Sequence, residues 1–261
     1  MAELIVITSG KGGVGKTTVA AFLGAKLAER GKKTVVCDLD FGLNNLDIVM
    51  GAEKKVVYDL SDALEGRCRA NQALTACPNV KNLYLISSVR TVGKSISGQN
   101  IKQLFEGLKN NFDYVLFDCP AGLDTGFHRA VSASNSAIVV ITPALSSIRD
   151  ADKVLSVLRS YNMKKIGIVV NMARGDLMIT REVLTINEIE ELLKTKVIGV
   201  IPQDDSILIS KNCYIDSSIP CGNAFYKLAK SIVSGRIKYT DPTNKYTGFW
   251  GSIKRSLKRK L

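Results

Sequence analysis

Four glycines, two lysines and two threonines share the ten residues SGKGGVGKTT, Ser9 to Thr18. Their spacing is that of a phosphate cradle. Gly10–Thr17 satisfies G-x-x-x-x-G-K-[ST] directly behind the apolar run ELIVIT (3–8). Gly10, Gly12, Gly13 and Gly15 let the backbone curl until its N–H groups point at phosphate oxygens. Val14 and Thr18 complete the stretch, and the dipole of a helix starting near Lys16 adds to the attraction. Lys16 then reaches the β- and γ-phosphates, while the Thr17 hydroxyl is set for Mg²⁺. Lys11 is the residue this motif does not need; it is either an exposed loop lysine or a cation that meets a further anion. Three carboxylates stand at the ends of later apolar runs: Asp38 and Asp40 after KTVVC, Asp118 after DYVLF.

The elements that must position these groups are legible as alternating patterns. Strand candidates are 3–8, 33–38, 83–87, 113–118, 137–142, 165–171 and 197–202, several of them continuous apolar runs suited to burial on both faces. Helical spacing falls between them at 16–30, 98–110, 147–161, 185–194 and 222–234. The alternation predicts an α/β fold with a mostly parallel twisted sheet and helices on both faces. One domain is expected over 1–235. A polar linker is expected over 236–248, because RIKYTDPTNKYTG lacks an apolar period.

With 261 residues, 46% hydrophobic and 23% charged, the chain has the composition of a globular protein rather than a disordered one. No run reaches the roughly 18 apolar residues of a membrane span, and MAELIVITSG does not resemble a secretion signal, so a cytoplasmic location is expected. The six cysteines form no CxxC pair, and the single histidine, His128, leaves little for a metal cluster or a Ser/His/Asp triad.

KGGVGKTT resembles the deviant Walker A motif of the MinD/ParA ATPases, a family of P-loop NTPases. The resemblance extends, motif by motif in the same order, to about residue 235. It implies an ATPase dependent on Mg²⁺ and coupled to dimerisation, with Lys11 crossing an ATP dimer to the partner's phosphates. It makes CDLDFGLNNLDIVMG (37–51) the first switch region, where Asp40 places the attacking water, Asp38 supports the metal environment and Asn45 contacts the partner's nucleotide region. It makes Asp118 the Walker B carboxylate, holding Mg²⁺ through water, with Pro120–Gly122 in the second switch. For the base it implies Asn171 and the stretch Pro202 to Asp204, although capping or turn roles remain open at these strand ends. On the helix after AIVVIT it implies partner contacts by Asp150 and Asp152, which otherwise are solvated helix-face acids. GLNNLDIVMG and PAGLDTG look most like the MinD-type members, which implies division-site placement, a MinC-like inhibitor and a MinE-like or other topological factor. Flagellar-placement and ParA-type DNA-segregation ATPases are the alternatives.

The charge of +12 is unevenly spread: residues 247–261 hold five basic residues and no acidic one. Drawn as a helix, Phe249, Trp250, Ile253, Leu257 and Leu261 gather on one side and Lys254, Arg255, Lys258 and Arg259 on the adjoining arc. Thirteen residues reach only about 20 Å, too short to cross a bilayer but long enough to lie along an anionic surface. A nucleic-acid arm and a solubilising tail are the rival readings. The apolar stripe favours membrane over nucleic acid.

Overall fold

Alternate positions of Glu3–Thr8 (β1) feed opposite faces of one sheet: Leu4 and Val6 join one apolar cluster, Ile5 and Ile7 another. The same division holds for Thr34–Asp38 (β2), where Val35 and Cys37 face away from Val36, and for Tyr114–Asp118 (β5), where Val115 and Phe117 oppose Leu116. Two buried faces require two layers of helices, as the continuous apolar runs predicted.

The computed structural model describes residues 2–41, 45–88, 96–210, 212–248 and 251–252. The remaining strands are Thr75–Ala76 (β3), Leu83–Ile86 (β4), Ser136–Ile141 (β6), Lys165–Ala173 (β7) and Val197–Pro202 (β8). They form one sheet in the order β3-β4-β2-β5-β1-β6-β7-β8. Every neighbouring pair is parallel except β3 with β4. Lys16–Glu29 (α1), Leu46–Val49 (α2) and Pro220–Ser234 (α10) cover one face. Leu60–Leu64 (α3), Gly98–Leu108 (α4), Thr125–Ala133 (α5), Leu145–Ser160 (α6) and Ile186–Leu193 (α8) cover the other. Gly175–Ile179 (α7) and Ser206–Ile209 (α9) are short helices in the connections after β7 and β8.

The helix that starts at the phosphate motif is anchored firmly. Phe22 of α1 stacks on Phe225 of α10 at 5.3 Å between centroids. Lys26 is buried on the same helix without a lost charge: its Nζ donates to the Glu29 carboxylate at 2.8 and 3.0 Å and to the Ile215 carbonyl at 2.6 Å. Buried ions survive only with such partners.

The structure departs from the sequence reading in several places, the short helices α2, α3, α7 and α9 among them. The two-residue edge strand β3 is too short to show a period, and the nine residues of α5 were not anticipated as a helix. Residues 236–248, expected as a linker, lie against the domain. The Ser231 hydroxyl accepts from Lys238 N at 2.9 Å, Pro242 O closes on Gly175, and Tyr246 is buried. Two tyrosine rings, Tyr239 and Tyr246, and a proline give this polar stretch enough apolar area to dock. The expected amphipathic stretch, carried by Phe249, Trp250, Ile253, Lys254, Leu257, Lys258 and Leu261, lies outside the described residues. No helix among the described residues is long and apolar enough to cross a membrane.

Candidate functional site

β1 ends in the middle of the sheet, and the loop that follows it is held from several sides. The Ser9 hydroxyl donates to Lys11 O at 2.7 Å, and Gly122 N, beyond β5, donates to Ser9 O at 3.1 Å. Gly10 lies against the α6 backbone, where an added Cβ would meet Asp150 O at 2.4 Å. Gly13 and Gly15 have φ of 78° and 88°, the left-handed region that glycine enters without strain. Around Gly12 and Gly13 an added Cβ would meet nothing within 4 Å, so the turn is open there. Gly15 caps α1 without a side-chain bond, and the first turn of α1 has no acidic residue. The first N–H groups of the helix are therefore available to an anion. Lys16 is buried at the root of the loop, while Lys11 is exposed.

A second wall is acidic. β2 and β5 pair with Asp38 opposite Asp118, and both side chains are only 2% exposed. Burial, then the Asp118 charge, raises the Asp38 carboxyl to about 8, although its oxygens accept from the backbone N–H groups of Asp40 and Leu46. Burial likewise raises Asp118 to about 7, against the Thr17 hydroxyl and the Lys16 charge, which lower it. Asp118 Oδ1 is buried with no hydrogen-bond partner. A carboxylate oxygen left bare beside Thr17 is what a hard cation requires, so Thr17 and Asp118 fit Mg²⁺, with Asp38 supporting the same wall. Asp40 is half-exposed; desolvation raises its carboxyl first, Lys16 lowers it and Asp124 raises it. Asp124 is in turn the cap of α5, accepting from Phe127 N at 3.1 Å. Lysine, threonine hydroxyl and carboxylates thus converge on the open turn. Asn45 is exposed at the start of α2.

The residues proposed for the base divide. Asn171 is buried beside the loop, but its Nδ2 donates to Val14 O at 2.8 Å, so one end of its amide braces the loop. Asp204 is turned to the chain's own groups, accepting from Ser206 N at 3.0 Å. Pro202 lines a cavity of about 320 Å³ together with Ala173, Arg174, Gln203, Asn223 and Tyr246. Gln203 falls within the stretch expected for the base, whereas Arg174 and Tyr246 were not read from the sequence: no spacing marks a cavity wall assembled from separate connections. Asp150 and Asp152 point to different sides of α6, since positions two apart on a helix do not share a face. Asp150 is 3.7 Å from Lys153 Nζ, and Asp152 is exposed.

Gly15→Ala is expected to lower nucleotide affinity by about two orders of magnitude. The new Cβ would sit 2.4 Å from Asn171 Nδ2 at a φ of 88°. Left-handed strain and overpacking each cost on the order of 1–2 kcal/mol. Titration with a fluorescent nucleotide measures the loss; affinity within threefold of wild type would show that the loop accommodates the methyl.

Comparison with known proteins agrees with this geometry. The family profile described as the CobQ/CobB/MinD/ParA nucleotide binding domain matches residues 5–212. The septum site-determining protein MinD of Synechocystis sp. is 38% identical over 264 residues, 98% of this chain and 99% of that protein. Its Bacillus subtilis namesake is 44% identical over 215 residues, 81% of this chain and 80% of that protein. Among solved structures, the MinC:MinD cell division protein complex of Aquifex aeolicus superposes with a TM-score of 0.83 at 36% identity, covering 89% of this chain and 96% of that one. MinD of Pyrococcus horikoshii complexed with Mg-ADP gives 0.78 at 27% identity, covering 91% and 99%. The chain belongs to the CobQ/CobB/MinD/ParA family of nucleotide-binding proteins.

Proposed function

We propose that this chain is an ATPase that places the cell-division site, dimerising on ATP and carrying a division inhibitor to the membrane. The observation that carries the reading is the pair of loop lysines. Lys16 is buried at the cradle, and Lys11, five residues earlier in the same loop, is exposed. One serves the phosphates of its own chain; the other is free to serve those of a facing copy. Exposed apolar side chains support a second copy on this side. Leu123, Leu145, Met172, Leu208 and Ile209 are 37–83% exposed, each at or just beyond the carboxyl end of a strand, the edge where the phosphate loop lies.

Within this reading the loop from Gly10 to Thr18 holds ATP, and Thr17 and Asp118 hold Mg²⁺ with Asp38 behind them. Asp40 orients the attacking water, and Asn45 meets the facing nucleotide. Asn171, Pro202 and the cavity beyond them receive the base. The relatives' naming as septum site-determining proteins and the Aquifex complex with MinC support a MinC-type partner. Asp150 and Asp152 are its proposed contacts, with a MinE-type or other factor as regulator.

Residues 249–261 form the proposed membrane contact, with residues 1–235 as the ATPase domain and the protein peripheral on the cytoplasmic face. Each basic residue near an anionic surface contributes on the order of 1 kcal/mol, so one tail is marginal and two on a dimer gain roughly 10²-fold by effective concentration. The test is sedimentation with anionic vesicles. Wild type should pellet in ATP at least tenfold more than in ADP, and Ile253→Glu should abolish pelleting while ATP binding stays within twofold. Pelleting that ignores the nucleotide, or ATP-dependent binding to duplex DNA instead of vesicles, would overturn the membrane assignment.

A further inference from the structure

Phe41 follows Asp40 directly in the chain, and its ring lies under a guanidinium from the other side of the site. Arg129 Cζ, in the second turn of α5, is 5.7 Å from the Phe41 ring centroid. α5 begins at Thr125, immediately after its cap Asp124, whose charge already acts on Asp40. The helix is not free to yield: Gly98 of α4 packs so closely that an added Cβ would be 2.7 Å from Arg129 O and 1.9 Å from Ser132 Oγ. Phe41 is half-buried against the apolar cluster under the same helices.

Asp40 itself is tethered at its main chain. Its N–H donates to Asp38 Oδ1 at 2.9 Å, and its carbonyl accepts from the buried Ser88 hydroxyl at 3.1 Å. Its side chain has no such tether among the hydrogen bonds of the described residues. Where its carboxylate points therefore depends on how the backbone on the far side, at Phe41, is held.

We propose that the cation–π contact of Arg129 with Phe41 is a positioning latch that joins the segment after β2 to the helix after β5 and aims the Asp40 carboxylate at the water it orients. Arg129 and Phe41 touch no substrate in this arrangement; they act through Asp40, and the inference rests on the role proposed above for that residue. The contact joins two connections that are separate in sequence and adjacent in the sheet, because β2 and β5 are paired neighbours. A planar cation over a ring holds direction as well as distance.

The experiment is steady-state ATP hydrolysis by the full chain with Mg²⁺, read as kcat and KM separately. Arg129→Met keeps an unbranched apolar stem, and Phe41→Leu keeps apolar bulk; each should lower kcat about three- to tenfold with KM for ATP within twofold. The double variant should be no slower than the slower single variant, because one contact is lost only once. Phe41→Tyr, which keeps a ring, should restore at least half of wild-type kcat. Thermal melts within a few degrees of wild type establish that the variants fold.

Unchanged kcat in Arg129→Met, or losses that multiply in the double variant, would overturn the latch. A loss of kcat in Phe41→Tyr as large as in Phe41→Leu would do the same. Asp40→Asn separates this inference from its parent. If that variant loses hydrolysis while Arg129→Met does not, the latch alone is wrong; if Asp40→Asn hydrolyses normally, the role of Asp40 falls and the latch with it.

Discussion

Lys11→Ala yields a protein that binds ATP with affinity within about threefold of wild type, stays monomeric in ATP and Mg²⁺, and hydrolyses at least 100-fold more slowly. The backbone of this residue and its side chain have separate roles. Its carbonyl is held by the Ser9 hydroxyl at 2.7 Å, so the curvature of the loop does not depend on the lysine chain. The ammonium is exposed, so removing it leaves the cradle around Lys16 intact. What disappears is the cation a facing copy would receive. Two triphosphates brought together repel strongly at low dielectric, and a cation supplied in trans to a transferring phosphoryl group is worth roughly 10³–10⁵ in rate. Light scattering with ATP and Mg²⁺ decides the matter. A variant that dimerises normally would show that Lys11 serves only its own chain.

Asp118→Asn separates binding from stability with opposite signs. In the nucleotide-free protein this carboxylate is buried opposite Asp38, and one of its oxygens has no partner. Its neutral isostere removes that cost and should raise Tm by several degrees. The pH dependence has a definite sign. A buried acid whose folded pKa is raised holds its proton longer in the folded state, so folding stability falls as pH rises from the ordinary carboxylate range through about 7 for Asp118 and about 8 for Asp38. Asp118→Asn should flatten that slope. With Mg²⁺ present the ranking reverses, because the amide offers the cation a weaker oxygen. Stimulation of hydrolysis by Mg²⁺ should fall at least 100-fold, and thermal stabilisation by Mg²⁺ with ATP should largely disappear. A melt without nucleotide that is lower than wild type, together with intact Mg²⁺ dependence, would remove Asp118 from the metal site.

The sequence was most informative where one physical constraint dominated. Seven strands announced themselves because a strand buried on both faces must be apolar along its whole length, as in the fully buried Tyr114–Asp118. The phosphate loop was legible because few backbones curl so tightly without glycine. Legibility failed where structure depended on a neighbour. α5 is set by its Asp124 cap and by packing on α4, neither visible in TGFHRAVSA as a long period. The 236–248 stretch looked like a linker because its dockable groups, Tyr239, Pro242 and Tyr246, are few and follow no period. Asn171 was expected at a strand end, whereas β7 runs on to Ala173, and its bond to Val14 O could not be foreseen. The Arg129–Phe41 contact joins residues on two connections, and no spacing rule reaches across a sheet.

The central place of β1 carries a consequence for how the protein is made. The strand that bears the phosphate loop is the first in the chain, yet its two neighbours are β5 and β6, with Glu3 beside Tyr114 and Ile5 beside Ser136. Both partners are more than a hundred residues downstream. An emerging chain therefore exposes its phosphate motif long before the walls that shape it exist, and closing so large a loop is slow. Ribosome-bound chains should gain nucleotide protection in one late step, after β7 with its Asn171 brace has emerged, rather than gradually. Nucleotide capture then reports completion of the sheet, and a chain truncated before β7 stays empty however intact its motif.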